Sequence, residues 1–146
     1  MILPRSSQHL AISIQPYISE GSVKNFRDLK VWEKAHALVL VCYEVTKSFP
    51  REEIFGLVSQ IRRAAASIPA NIAEGCGRRG NAELHRFLQM AMGSASELEY
   101  HLFLSKDLAY LKTDKYEQLQ PQVEEVKRML AALIRKVDSE RSMNKG

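Results

Sequence analysis

The chain has 146 residues, 45% of them hydrophobic and 26% charged, with a formal charge of +4. That length suits one domain with a single core, and that balance excludes wholesale disorder. No run approaches the ~18 apolar residues of a membrane span, and Cys42 and Cys76 form neither a disulfide framework nor a metal spacing, so a cytoplasmic protein with reduced thiols is expected.

Residues 1–25 differ from the rest. Pro4 and Pro16 interrupt them, and "SEGS" at 19–22 reads as a loop. "LAISIQ" alternates weakly like a strand, but no second strand exists to pair with it. The segment is read as an N-terminal extension outside the fold, with docking onto a neighbouring subunit as the alternative. It carries no basic region followed by an apolar block, so no signal peptide is expected.

The first helix is predicted over residues 27–48. Leu29, Trp32, His36, Val39, Tyr43 and Thr46 recur at steps of three and four and are expected on its buried face. Phe49-Pro50 ends it, because proline cannot continue the hydrogen-bond ladder. "ALVLVCY" at 37–43 is apolar nearly all round. A helix with one buried stripe does not need that, so a second subunit is expected to cover the other side.

The second helix is predicted over residues 52–74, with Ile54, Val58, Ile61, Ala65, Ile68 and Ile72 in its apolar row. Pro69 falls inside that row without resetting its phase. One kinked helix is therefore expected rather than two with Ser67 as a cap. Gly75 and Gly77 are expected to stop it through the left-handed conformation that glycine takes at little cost.

The third helix is predicted over residues 82–111, with Asn81 as its N-cap and Leu84, Leu88, Ala91, Ala95, Leu98, Leu102 and Ser105 inward. Its small residues, "AMGSAS" at 91–96, would let another helix approach closely. The fourth is predicted over residues 114–139, with Thr113 as N-cap and Leu119, Val123, Val126, Leu130, Leu133 and Val137 inward. Residues 140–146 are expected to fray. Four amphipathic segments joined by short turns define an all-α fold, an antiparallel up-down-up-down four-helix bundle over residues 26–139.

Gly75, Gly77 and Gly80 match the spacing of a dinucleotide-binding loop. That fingerprint works where a strand enters the loop and a helix leaves it, whereas here helices do both. The glycines are read as a corner between helices. The corner still has chemistry, because it lies at a helix N-terminus, where N–H groups are unpaired and the dipole is positive. Residues 54–86 carry Arg62, Arg63, Arg78, Arg79 and Arg86 against Glu74 and Glu83, a surplus of +3. Arginine suits phosphate or carboxylate forks, and Lys30 and Lys34 are read as extending the patch. These seven side chains are the candidate nucleic-acid contacts. Pairing of the arginines with Glu74 and Glu83, together with solvent, is the alternative.

Gln60, Arg63, Ser67, Asn71 and Glu74 draw a polar line along the second helix. Two readings stand: a solvated face, or a subunit interface whose register is fixed by Arg63, Asn71 and Glu74. Enzymatic readings find less support. Glu33 and His36 have the Glu-x-x-His spacing of bundle di-metal sites, but Glu97 and Glu99 stand four and two residues from His101, and the fourth helix has no histidine. Cys76, near Arg78, has no histidine placed beside it and is read as a reactive thiol at most. No cofactor, metal or catalytic residue is expected.

"FRDLKVWEKAHALV" from residue 26, "FGLVSQIRRAAASIPANIAEGCGR" from 55 and "FLQMAMGSASELEYHLFLSKDLAYL" from 87 resemble a bacterial four-helix-bundle family. Its members include proteins encoded within intervening sequences of the 23S ribosomal RNA gene. Three blocks match in order, and the resemblance spans residues 25–137. It implies an antiparallel bundle, a ring-shaped homopentamer and no established catalytic residues. Related bundles include the accessory variability determinant proteins of diversity-generating retroelements, basic pentamers that bind nucleic acid. This chain matches the intervening-sequence branch, and its first residues extend beyond the usual start near "FRDL". RNA or DNA is the expected partner, with an unknown protein partner as the alternative.

Overall fold

The computed structural model describes residues 25–145, so the reading of residues 1–24 as an extension lies outside them. Asn25 opens the fold. Its Oδ1 accepts from the Arg27 N–H at 3.0 Å and caps a short 3-10 turn, Phe26–Asp28. Four helices follow: α1 (Lys30–Thr46), α2 (Leu57–Cys76), α3 (Gly80–Asp107) and α4 (Thr113–Lys145). No strand occurs among the described residues. None of their helices is long and apolar enough to cross a membrane.

The helices pack in ring order, α2 most extensively on α3, then α3 on α4, α1 on α2, and α1 least on α4. The register is antiparallel. Ser67 meets Ser94 while Gly75, further along α2, meets Leu84 and Phe87. Likewise Glu99 pairs with Lys127 and His85 with Asp138. Between the helices lies one apolar core, built on Leu38, Ile61, Ile68, Ile72, Leu88, Leu98, Leu102, Leu119, Val123 and Leu130. The inward rows expected on the third and fourth helices are all buried.

The first helix faces inward differently from expectation. Its buried line is Leu29, Val31, Ala35, Leu38, Cys42 and Thr46, so only Leu29 and Thr46 of the expected row are deeply buried. Small Ala35 and Cys42 let α1 approach the core closely, while bulky Trp32 and Tyr43 are turned to the flank. Trp32 packs on Phe26 (centroids 4.9 Å apart) and stacks on exposed His36 (5.1 Å). A helix apolar nearly all round offers two competing stripes, and periodicity alone does not choose between them.

α2 starts at Leu57, not residue 52. A second 3-10 turn, Arg51–Glu53, precedes it, and the chain breaks at Gly56 (ψ −112°). Glu53 Oε1 accepts from the Leu57 N–H at 3.0 Å and satisfies an otherwise orphaned helix donor. Ile54, expected in the apolar row, is therefore 53% exposed. The helix does continue as one element through Pro69 to Cys76.

At the α2–α3 corner, Gly75 is helical and buried. A Cβ there would lie 2.9 Å from Phe87 Cβ, so glycine sets the close approach of the two helices. Gly77 is right-handed (φ −83°) and caps α2 by donating to Ala73 and Glu74 carbonyls. The left-handed residue is Gly80 (φ +81°), which directs the chain into α3 two residues earlier than expected. Arg79, not Asn81, is thus the N-cap. Thr113 is the first residue of α4 rather than its cap, and α4 runs to Lys145, past the expected end at 139. α3 ends at Asp107, before the expected 111.

Candidate nucleic-acid and subunit surfaces

Three arginines surround the start of α3. The Arg79 N-cap contributes no side-chain hydrogen bond to the helix, so the first backbone N–H groups lack a side-chain cap. Arg78 reaches back to Glu74 Oε2 at 2.8 Å, and Arg86 donates from Nε to Glu83 Oε2 at 3.1 Å. Both guanidinium groups lie over the Phe87 ring, 5.3 Å and 4.5 Å from its centroid. They are held in place while still exposed. The Arg86 hydrogen bond holds the Glu83 carboxyl below its ordinary range. Arg79 is exposed and makes no hydrogen bond or ion pair among the described residues.

Arg62 and Arg63 lie elsewhere. Thirteen to fourteen residues separate them from the end of α2, about 20 Å at ~1.5 Å per residue. Adjacent helical residues point about 100° apart, and these two serve different neighbours. Arg62 donates to Thr46 Oγ1 at 2.9 Å and to the Tyr43 carbonyl at 3.3 Å, and lies over the Tyr43 ring, tying α2 to α1. Arg63 is exposed on the other flank. Lys30 opens α1, at the end of the bundle that also holds the α2–α3 corner. Lys34 pairs with Glu125 of α4 at 3.4 Å. The seven candidate contacts therefore do not form one patch. Arg78, Arg79 and Arg86 come together, and Lys30 shares their end.

Gln60, Arg63 and Ser67 of the polar line on α2 face a groove between α2 and α3, about 440 Å³ in volume and lined also by Ala66, Ala70, Ser94 and Glu97. Ser67 and Ser94 hydroxyls meet across its floor at 2.8 Å, and Asn71 Nδ2 donates to Ser67 Oγ and to the Ser67 carbonyl at 2.9 and 2.8 Å. Asn71 is thereby occupied within its own chain, as Glu74 is by Arg78. Arg63 makes no hydrogen bond or ion pair among the described residues. At the groove's far wall Glu97 pairs with His101 Nε2 at 3.2 Å, one turn along α3. His101 is partly buried.

A family model described as 23S rRNA-intervening sequence protein matches residues 27–132. The chain belongs to that family. A crystal structure of a protein of unknown function from the S23 ribosomal protein family of Bacteroides thetaiotaomicron is similar at 26% identity and a TM-score of 0.65, covering 71% of this chain and 97% of that one. No curated protein sequence matches. Membership of the 23S rRNA-intervening sequence protein family thus agrees with the bundle.

Sequence reasoning passed over several surface residues of this family member. Phe55 is 95% exposed and Leu40 59% exposed. Tyr100 and Met90 stand out from α3, and Leu108 from its end. Phe55 was hidden by the assumption that the second helix began at residue 52. The signal was the pair Pro50 and Gly56, which bracket a loop. Cys76 is buried at the C-terminal end of α2, away from solvent reagents.

Proposed function

We propose that this protein is a non-enzymatic, cytoplasmic, oligomeric scaffold that binds the backbone of RNA or DNA through the α2–α3 corner. The observation that carries the reading is the grouping of Arg78, Arg79 and Arg86 around a helix N-terminus that no side chain caps. Unpaired N–H groups and the positive dipole end favour a phosphate there. The guanidinium forks add charge-assisted hydrogen bonds, and two of them are already fixed over Phe87, which lowers the ordering cost on binding. Lys30 extends the positive end. Arg62 supports the fold rather than the ligand in this reading, and Arg63 serves the subunit interface. Resemblance to the family supports a homopentamer, whose repeated corners would multiply a weak single contact.

The test is binding of a structured RNA and a duplex DNA at several salt concentrations, by wild type and by R78A/R79A. Phosphate contacts lose about 0.9 in the slope of log affinity against log salt for each phosphate neutralised on duplex DNA. A steep slope that flattens by roughly 2 in the double variant is expected. No binding at about 50 mM salt, where such contacts are strong, would sink the nucleic-acid reading. The protein would then be an interaction scaffold alone, a second reading favoured by the exposed Phe55, Leu40 and Tyr100.

A further inference from the structure

We propose that Phe55 of one copy seats in the α2–α3 groove of the next, so that the chain assembles through two different surfaces rather than one self-matching patch. This rests on the self-association stated above and assigns its contacts. The knob is unusual. Phe55 is 95% exposed and lies beside Ile54, itself 53% exposed. The loop that carries them is pinned on both sides of Glu53, whose carboxylate accepts from the Leu57 N–H at 3.0 Å and from the Tyr110 hydroxyl at 3.3 Å. A solvated aromatic ring on a pinned loop needs little backbone ordering to bind.

The groove suits it. Its volume is about 440 Å³, and Ala66, Ser67, Ala70 and Ser94 in its lining leave the backbone approachable. A buried aromatic removes roughly 150–250 Å² from water. Charge agrees as well as shape. Arg51 and Glu52 flank the knob, both exposed and neither in an ion pair among the described residues. Arg63 and Glu97 stand on the groove, Arg63 likewise without an ion pair. Seating Phe55 brings Glu52 toward Arg63 and Arg51 toward Glu97 of the neighbouring copy. Where a copy's knob and groove engage different neighbours, each added copy leaves one of each open, and the contact propagates until the rotation closes a ring.

Sedimentation and native mass spectrometry of the full chain test this. Wild type is expected to be a closed oligomer. F55D is expected to be monomeric and still folded, with its helical circular-dichroism signal unchanged, since an exposed side chain contributes little to the monomer; its thermal midpoint falls only by what assembly contributed. A70W, which fills the groove, is expected to be monomeric too. Mixed, F55D supplies an intact groove and A70W an intact knob, so the two form a 1:1 heterodimer that grows no further. R63E weakens assembly at least tenfold, and E52R/R63E restores it. An F55D protein that keeps the wild-type mass, or a mixture that stays monomeric, overturns the knob-and-groove contact and leaves oligomerisation standing. A wild type that is monomeric at every concentration overturns the self-association reading itself.

Discussion

Arg62 donates from Nε to the Thr46 hydroxyl at 2.9 Å, and that hydroxyl in turn donates to the Cys42 carbonyl at 2.7 Å. One guanidinium thus holds the last turn of α1 onto α2, with its second contact on the Tyr43 carbonyl and its plane over the Tyr43 ring. Hydrogen bonds from a charged donor contribute about 1.5–3 kcal/mol when buried, and Arg62 is half-buried, so R62A is expected to lose about 1–2 kcal/mol. Urea denaturation measures it. R62K should recover less than half, because an ammonium cannot reproduce the planar fork or the stacking.

Gly75 and Gly93 predict opposite outcomes for the same change. At Gly75 an added Cβ meets Phe87 Cβ at 2.9 Å and Leu84 Cδ1 at 3.1 Å, so G75A forces α2 and α3 apart. Overpacking of this kind costs about 1–3 kcal/mol. At Gly93, inside α3, nothing lies within 4 Å, and G93A should gain about 0.5–1 kcal/mol from helix propensity. Thermal denaturation of the pair checks both signs.

Ala109 sits where glycine is usual. The Ala109 N–H donates to the Lys106 carbonyl at 2.9 Å and the Tyr110 N–H to the Ser105 carbonyl at 3.0 Å, the bond pattern of a Schellman cap. Ala109 takes the left-handed conformation this requires, with φ 63°. An L side chain there costs about 1–2 kcal/mol, partly offset by the greater unfolded-state freedom of glycine. A109G is therefore expected to stabilise the fold by about 0.5–1 kcal/mol, read as a rise in the urea midpoint.

Stability should form a plateau with respect to pH. On the acid side, Glu83 is held below its ordinary 4.5 by the Arg86 hydrogen bond, so its contribution is present above 4.5 and is lost as pH falls through the lowered value. On the alkaline side, burial pushes the Cys42 thiol from 9.0 up to about 12. Tyr110 is also raised, first by desolvation and then by the Glu53 charge. These contributions are present below the unfolded values and are lost as pH rises from about 9 toward 12. Chemical denaturation across the range should show both edges, and C42A should soften the alkaline one. In C76A, native Cys42 should react with a thiol reagent only through unfolding, since near pH 8 it holds about a thousandfold less thiolate than an ordinary cysteine.

The fold was legible wherever one apolar row dominated. Leu84 to Ser105 and Leu119 to Val137 each had a single inward stripe, and both are buried. It was illegible on the first helix, where Trp32, His36, Val39 and Tyr43 competed with Val31, Ala35, Leu38 and Cys42. Size decided between them, because Ala35 and Cys42 fit against a partner helix and Trp32 does not. The corner was legible as a corner, but which glycine turns left-handed was not, since that depends on where the α2 ladder runs out. How the candidate site residues group was not legible in the sequence. Arg62 and Arg63 are neighbours in sequence, yet one grips α1 and the other lines the α2–α3 groove.

By itself the sequence determined an all-α bundle, its helix order and the family, because hydrophobic period and breaker residues are local properties that survive without coordinates. Only the tertiary structure decided which α1 stripe is inside, that Arg78 and Arg86 are braced over Phe87, that Glu53 pins a loop bearing a solvated Phe55, and that a groove opens between Ser67 and Ser94. Each of these depends on side chains far apart in the chain meeting at a distance that packing, and not periodicity, sets.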